Sequence, residues 1–245
     1  IDFLITEAPA GHGGGFLIDA PRPLAQSLAD KLGFYKLRAK VAVENISDSM
    51  GVLAAWDGEP AMKPDLAFAD PRLEALGWRI LVPEDLKQKV VDLIGADLTD
   101  SDVYEAHRIA SGVPRGGLDF MYSDAFPHET NMDRLHGVDF DKGCYVGQEV
   151  VSRMQHRGTA RTRIVPALYE GGFAADVGVE VTAGEKALGK TGTGAEGKGL
   201  LMIRLDRAAD ALRAGEVIRA GGIPVRLEKP SWIGFPFPGE AELPS

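Results

Sequence analysis

An α+β protein ending in a small antiparallel β-barrel is the fold this sequence predicts, and three observations carry that reading. Strand-like and helix-like periodicities alternate irregularly through residues 1–158, without the regular strand–helix repeat of a doubly wound sheet. Beyond Gly158 the glycines close up and separate short apolar pieces, the pattern of a small barrel or sandwich. The chain has 245 residues, 44% hydrophobic and 26% charged, enough apolar side chain for one large domain or two ordinary ones. The division expected is an α+β region over 1–158 and a barrel domain with a proline-rich tail over 159–245.

Two apolar runs at 3–6 and 16–19 flank Gly11, Gly13, Gly14 and Gly15, which predicts a hairpin with a long glycine loop. Four clustered glycines also suit a phosphate cradle, but no Lys-Ser/Thr follows them and no strand-to-helix context surrounds them. After Pro21, Leu24, Leu28 and Leu32 recur every four residues, an amphipathic helix that Gly33 is expected to stop. Strands are expected at 41–46, 52–56, 66–69 and 78–82, with Asp57-Gly58 as a turn, and helices at 83–94 and 102–110, capped by Gly95 and Gly112. The barrel strands fall at 162–169, 177–182, 187–191, 199–204, 217–219 and 223–227, with Gly221-Gly222 as a tight hairpin turn. Pro230, Pro236, Pro238 and Pro244 rule out a helical tail, which is expected to wrap the surface.

Charge and cysteine count narrow the function. Lysine and arginine number 27 against 36 acids, so 27 minus 36 leaves −9, the wrong sign for a chain whose main partner is nucleic acid. No stretch approaches the roughly 18–20 apolar residues of a membrane span, and no signal-peptide pattern opens the chain, which predicts a protein of the cytoplasm or an organelle matrix. The first residues, Ile1-Asp2-Phe3-Leu4-Ile5, read as mid-strand, so a preceding segment is expected. The single cysteine, Cys144, cannot form an intramolecular disulfide or hold a zinc ion or iron–sulfur cluster alone. The five histidines have no ligand-like spacing with it, and no metal site is assigned.

One segment concentrates chemistry: Lys142-Gly143-Cys144-Tyr145-Val146-Gly147-Gln148-Glu149, running into a helical stripe of Val150, Val151 and Met154. Cys144 is expected just ahead of a helix start, where the dipole and Lys142 favour a thiolate. Between 142 and 163 the cations Lys142, Arg153, Arg157, Arg161 and Arg163 face Glu149 alone, so 5 minus 1 gives +4, a site for an anionic ligand. The bland alternative is a core thiol beside a solvated helical face.

The octapeptide resembles the Lys-Gly-Cys-aromatic-x-Gly-Gln-Glu signature of the folate-binding YgfZ family, relatives of the glycine cleavage T protein that act in iron–sulfur cluster maintenance. Further matches are Tyr35 to Val41, Asp70-Pro71-Arg72, Gly77-Trp78-Arg79, Arg108-Ile109 with Gly112 and Pro114, Pro127-x-Glu129-x-Asn131, and a barrel ending in Pro230-x-Trp232. The resemblance implies ferredoxin-like α+β modules of the T-protein/YgfZ type with a C-terminal barrel, and tetrahydrofolate as cofactor. It implies Glu129 for the pterin edge, Tyr145 and Tyr122 as ring walls, and Lys142, Gln148, Arg153 and Arg157 around the ligand, with Lys36, Arg38 and Lys40 as a second basic lip.

The leading function implied is a tetrahydrofolate-binding accessory protein for assembly or repair of iron–sulfur clusters on client proteins, with Cys144 as the reacting group. The alternative is a folate-dependent aminomethyltransferase or related one-carbon enzyme. T proteins generally carry Asp-Asp-Leu-Ile where this chain reads Asp2-Phe3-Leu4-Ile5, so Asp2 keeps half of an acidic pair and Phe3 cannot supply the other. Neither a nucleic acid nor a membrane is expected as partner.

Overall fold

The computed structural model describes residues 1–157 and 160–240, which fall into two compact units divided between Asp100 and Ser101. The boundary expected from composition, 158/159, falls on residues outside those described; the compact unit that holds the barrel starts earlier, at Ser101.

In the first unit the opening hairpin forms as the glycine loop suggested. Strands β1 (Leu4–Glu7) and β2 (Phe16–Asp19) pair antiparallel from Leu4 opposite Asp19 to Glu7 opposite Phe16. Helix α1 (Arg22–Tyr35) follows Pro21 but runs through Gly33, because an interior glycine costs a helix only about 1 kcal/mol. The strand expected at 41–46 is absent: no ladder partner lies beside it among the described residues, and Val41 and Ile46 are exposed. Strands β3 (Met50–Ala55), β4 (Ala67–Ala69) and β5 (Trp78–Pro83) form an antiparallel sheet in the order β3-β5-β4. The helix expected at 83–94 opens as a 3-10 turn, Glu84–Leu86, before α2 (Lys87–Ile94) ends on Gly95 at φ 72°. Asp70 holds Arg72 in a two-toothed pair at 2.9 and 2.7 Å, which explains why those residue types flank Pro71.

The second unit begins with α3 (Ser101–Ala110) and continues through a long turn-rich segment to α4 (Gln148–Arg157). Then come β6 (Thr162–Tyr169), β7 (Glu180–Ala183), β8 (Lys186–Ala195), β9 (Lys198–Arg204), α5 (Leu205–Arg213), β10 (Ile218–Ala220) and β11 (Ile223–Leu227). The six strands close into an antiparallel barrel in the order β10-β11-β6-β9-β8-β7. Gly221 and Gly222, both at positive φ, make the two-residue turn that sets Ala220 opposite Ile223.

Strand alternation gives β6 and β9 two buried faces. Val165, Ala167, Tyr169, Leu201 and Ile203 point into the barrel, while Ile164 and Leu200 pack outward against Ile109 of α3 and Phe120. Helix α5, unanticipated among glycine-spaced strands, adds Ala208 and Ala211 to the interior cluster; its small buried face hid it from a reading based on large apolar residues. The proline-rich tail also differs from expectation. Among its described residues Ile233, Phe235 and Phe237 are buried in the barrel core, because a proline such as Pro236 excludes helix but not burial. Pro244 lies outside the described residues.

A buried ionic knot ties α3 and the segment after it to the barrel. Arg108, 1% exposed, donates to Asp119 Oδ2 at 2.9 Å, Val113 O at 2.6 Å, Thr193 Oγ1 at 3.0 Å and Glu105 Oε2 at 2.8 Å. Asp119 Oδ1 accepts the Thr193 N–H and hydroxyl, both at 2.6 Å, where a register shift between Thr191 and Gly194 frees that N–H from the β8 ladder. Gly192 is required beside it, since a Cβ there would stand 2.5 Å from Asp119 Oδ1.

Asp119→Ala strands the Arg108 guanidinium with only Glu105 as counter-charge, and the expected loss is about 3 kcal/mol in urea unfolding. At the start of α5, the Arg204 guanidinium beside Asp206 holds its carboxyl down to about 2, against a smaller opposing effect of burial. A depressed folded pKa stabilises above the unfolded value of about 4 and the effect disappears as pH falls toward 2. The pair is 32% and 41% exposed, so screening leaves about 0.5 kcal/mol at most, read as the stability gap between wild type and Asp206→Asn at neutral pH that closes in acid.

Candidate functional site

The segment holding Cys144 is built on the barrel through an intermediate loop. Arg163 of β6, 5% exposed, clasps Asp133 at 2.5 and 3.1 Å, donates to His128 O at 2.6 Å, and lies 4.5 Å over the Phe235 ring. Asn131, fully buried at φ 62°, donates to Ile164 O at 2.7 Å, while Glu129 O accepts the Ile164 N–H at 3.0 Å. These bonds fix the turns from Phe126 to Leu135 against the strand. From that loop His128 Nε2 reaches Gln155 Oε1 of α4 at 3.1 Å.

Helix α4 starts at Gln148 as the sequence pattern predicted, after Gly147 turns at φ 88°. Cys144 is exposed ahead of it, with Val146 fully exposed and Tyr145 half-buried. The Lys142 ammonium stands 4.4 Å over the Tyr145 ring, so the cation and the aromatic of the motif occupy each other. Tyr145 O accepts the Gln148 N–H at 3.2 Å, a turn that places Gln148 half-buried at the helix start and Glu149 in the first turn.

The other expected site residues divide. Arg153 is exposed on α4, and the side chain of Arg157 lies outside the described residues. Arg163 is not a free cation of this surface, because its charge is neutralised by Asp133; the local excess of +4 read from the sequence falls accordingly. Glu129 is half-buried and its Oε2 accepts the Phe126 N–H at 2.9 Å, so one oxygen closes its own turn. The half-buried Tyr122 ring meets Phe120 at 5.9 Å and fills the space that a Cβ on Gly116 would occupy. Asp2 precedes β1 in the first unit, and Lys36, Arg38 and Lys40, all three exposed, follow α1 in the same unit, with Lys36 Nζ donating to Val41 O at 2.6 Å.

Sequence reasoning missed two features: the Arg108–Asp119 knot and the His128–Gln155 contact. The eleven-residue and twenty-seven-residue separations carry no period that would pair them. Among the described residues no group of three or more His, Cys, Asp or Glu could hold a metal ion, and no helix is long and apolar enough to cross a membrane.

Because Cys144 is a free, exposed cysteine, Cys144→Ser is expected to change stability by no more than about 0.5 kcal/mol. Native protein is expected to take up one iodoacetamide per chain without denaturant, measured by intact mass alongside thermal melts.

Comparison with known proteins bears on this unit first. Residues 161–235 match the family described as CAF17, C-terminal beta-barrel domain. The chain is 37% identical over 174 residues to an iron–sulfur cluster assembly factor IBA57 homolog, mitochondrial, of Mycosarcoma maydis, covering 69% of this chain and 42% of that protein. It is 34% identical over 232 residues to the counterpart of the same name in Chaetomium globosum, covering 89% and 51%. It is also 33% identical over 205 residues to iron–sulfur cluster assembly factor IBA57, mitochondrial, of Mus musculus, covering 77% and 56%. The chain thus spans about half the length of the curated relatives it matches. A distant likeness, TM-score 0.46 at 13% identity over 66% of this chain and 47% of the other, is to the glycine cleavage system aminomethyltransferase T of Bartonella henselae, and bears on neither site nor activity. The chain is therefore similar to proteins named iron–sulfur cluster assembly factor IBA57, and its closed barrel lies within the residues 161–235 that match the CAF17 C-terminal barrel family.

Proposed function

We propose that this chain serves iron–sulfur cluster assembly, with Cys144 as its reacting group and tetrahydrofolate as its ligand. The observation that carries the reading is the exposed Cys144 in the Lys142–Glu149 segment at the start of α4, in a chain whose relatives are named iron–sulfur cluster assembly factors. A single sulfur cannot hold a cluster, which takes about four ligands. Cys144 is the only cysteine of these 245 residues, so a cluster that it contacted would draw its remaining ligands from outside them, and a client protein that receives or supplies the cluster fits that need. An exposed thiol with the fully exposed Val146 two residues on leaves room for that approach.

The folate part of the reading rests on the chemistry of the side chains present. Arg153 and Arg161 are exposed cations suited to the glutamate tail, and Glu129 has a second carboxylate oxygen beside the one that closes its turn, suited to the amidine-like pterin edge. Lys142, Tyr145 and Gln148 would line the approach from the cysteine segment. Tetrahydrofolate, when bound, would supply a pterin able to accept a one-carbon unit. The same reading puts the protein in a mitochondrial matrix if its source is eukaryotic, following the relatives' printed names rather than the cytoplasmic setting that composition alone allowed.

The test joins binding and rescue. Tetrahydrofolate titrated by fluorescence quenching is expected to bind wild type, and Glu129→Gln, which keeps an acceptor for the Phe126 N–H, is expected to weaken it by about 1.5–3 kcal/mol. Cys144→Ser is expected to bind folate normally and fail to restore cluster enzymes in cells lacking the gene. Full rescue by Cys144→Ser removes the cysteine from the function, and rapid formation of methylene-tetrahydrofolate from an aminomethylated lipoyl carrier would favour the one-carbon transferase.

A further inference from the structure

Helix α4 carries the cysteine segment yet is held by little. Among the described residues no other helix or strand packs extensively along it, and Val151 is its one buried residue, at 7% exposure. Val151 and Gln155 stand four apart and so share the inward face. Opposite Gln155 is His128, 1% exposed, with Nε2 at 3.1 Å from Gln155 Oε1 and its ring 6.1 Å from that of Phe140. Facing a carbonyl oxygen, Nε2 carries the ring proton and donates. Nδ1, buried without a partner among the described residues, is then a bare lone pair; the opposite tautomer would bury an unpaired N–H, which costs more. The histidine is itself immobilised, since its carbonyl takes Arg163 Nη1 at 2.6 Å and the turn around it is pinned by Asn131.

We propose that His128, acting through Gln155, is the positioning residue of the Cys144 segment: a barrel-anchored donor that sets where α4 starts its run and so where the turn at Gly147 delivers the thiol. The proposal rests on the reading of Cys144 as the reacting group. Among the described residues the latch is one side-chain hydrogen bond beside one buried valine, so the helix can be released without unfolding the barrel.

Hydrogen exchange on the full chain tests it, with native alkylation of Cys144 read in parallel. Gln155 is exposed apart from its contact with His128, so Gln155→Ala keeps the fold. It is expected to speed amide exchange in α4 about fivefold, the equivalent of about 1 kcal/mol for one net hydrogen bond, with β6 and β9 unchanged. Cys144 alkylation is expected to shift by about twofold or more in the same variant at an unchanged thermal midpoint. Gln155→Glu retains an acceptor and should restore both values, and His128→Ala combined with Gln155→Ala should be no faster than His128→Ala alone. Unchanged exchange in Gln155→Ala, or additive effects in the double variant, overturns the proposal. Rescue of cells by Cys144→Ser with the exchange pattern as expected would instead overturn the role of the cysteine and leave the latch standing.

Discussion

A guanidinium held at 1% exposure is stable only while its donors are matched, and Arg108 is the group on which the second unit depends. Its partners come from three places far apart in sequence: Glu105 on its own helix, Val113 and Asp119 in the segment beyond, and Thr193 on the barrel. That convergence explains several otherwise unrelated features. Strand β8 must break register so that Thr193 can turn its N–H to Asp119, Gly192 must lack a side chain, and Ile109 is carried onto the outer face of the barrel beside Ile164 and Leu200. Apolar burial supplies the bulk of the stability, but the knot decides which face of the barrel the helix covers.

A second buried arginine repeats the logic one step nearer to the site. Arg163 holds Asp133 and the His128 carbonyl, and through them the turns that carry Glu129 and Asn131. Rigidity then falls off outward: barrel, pinned turns, the His128–Gln155 bond, a lightly held α4, and an exposed thiol at its start. A reactive group that must meet another protein gains from this gradient, because the scaffold fixes its average place while the last element can yield to the partner.

Much of this was legible in the sequence where local chemistry decides. The Gly221-Gly222 turn, the caps at Gly95 and Gly112, the helix start after Gly147 and the six barrel strands all follow from backbone preference or short-range periodicity. Readings failed where a distant partner decides. Residues 41–46 have strand composition without a neighbouring strand, α5 buries only small side chains, and Ile233, Phe235 and Phe237 enter the core from a segment whose prolines suggested surface. At the site, exposure of Cys144 agreed with its glycine-flanked setting, but Arg163, counted among free cations, is neutralised by an aspartate thirty residues away in sequence.

By itself the sequence determined most of the elements, an antiparallel, glycine-punctuated β domain at the C-terminal end and the peculiarity of the Lys142–Glu149 octapeptide, because propensity, turn chemistry and alternation act over a few residues. Only the tertiary structure decided which charges are spent on folding and which face solvent. Arg108, Arg163 and Arg153 are indistinguishable as letters, yet two are buried against carboxylates and one is exposed on α4. The reason is that a charge's fate depends on what the fold brings within hydrogen-bonding distance, and those partners stand 11 and 30 positions away, beyond any local pattern.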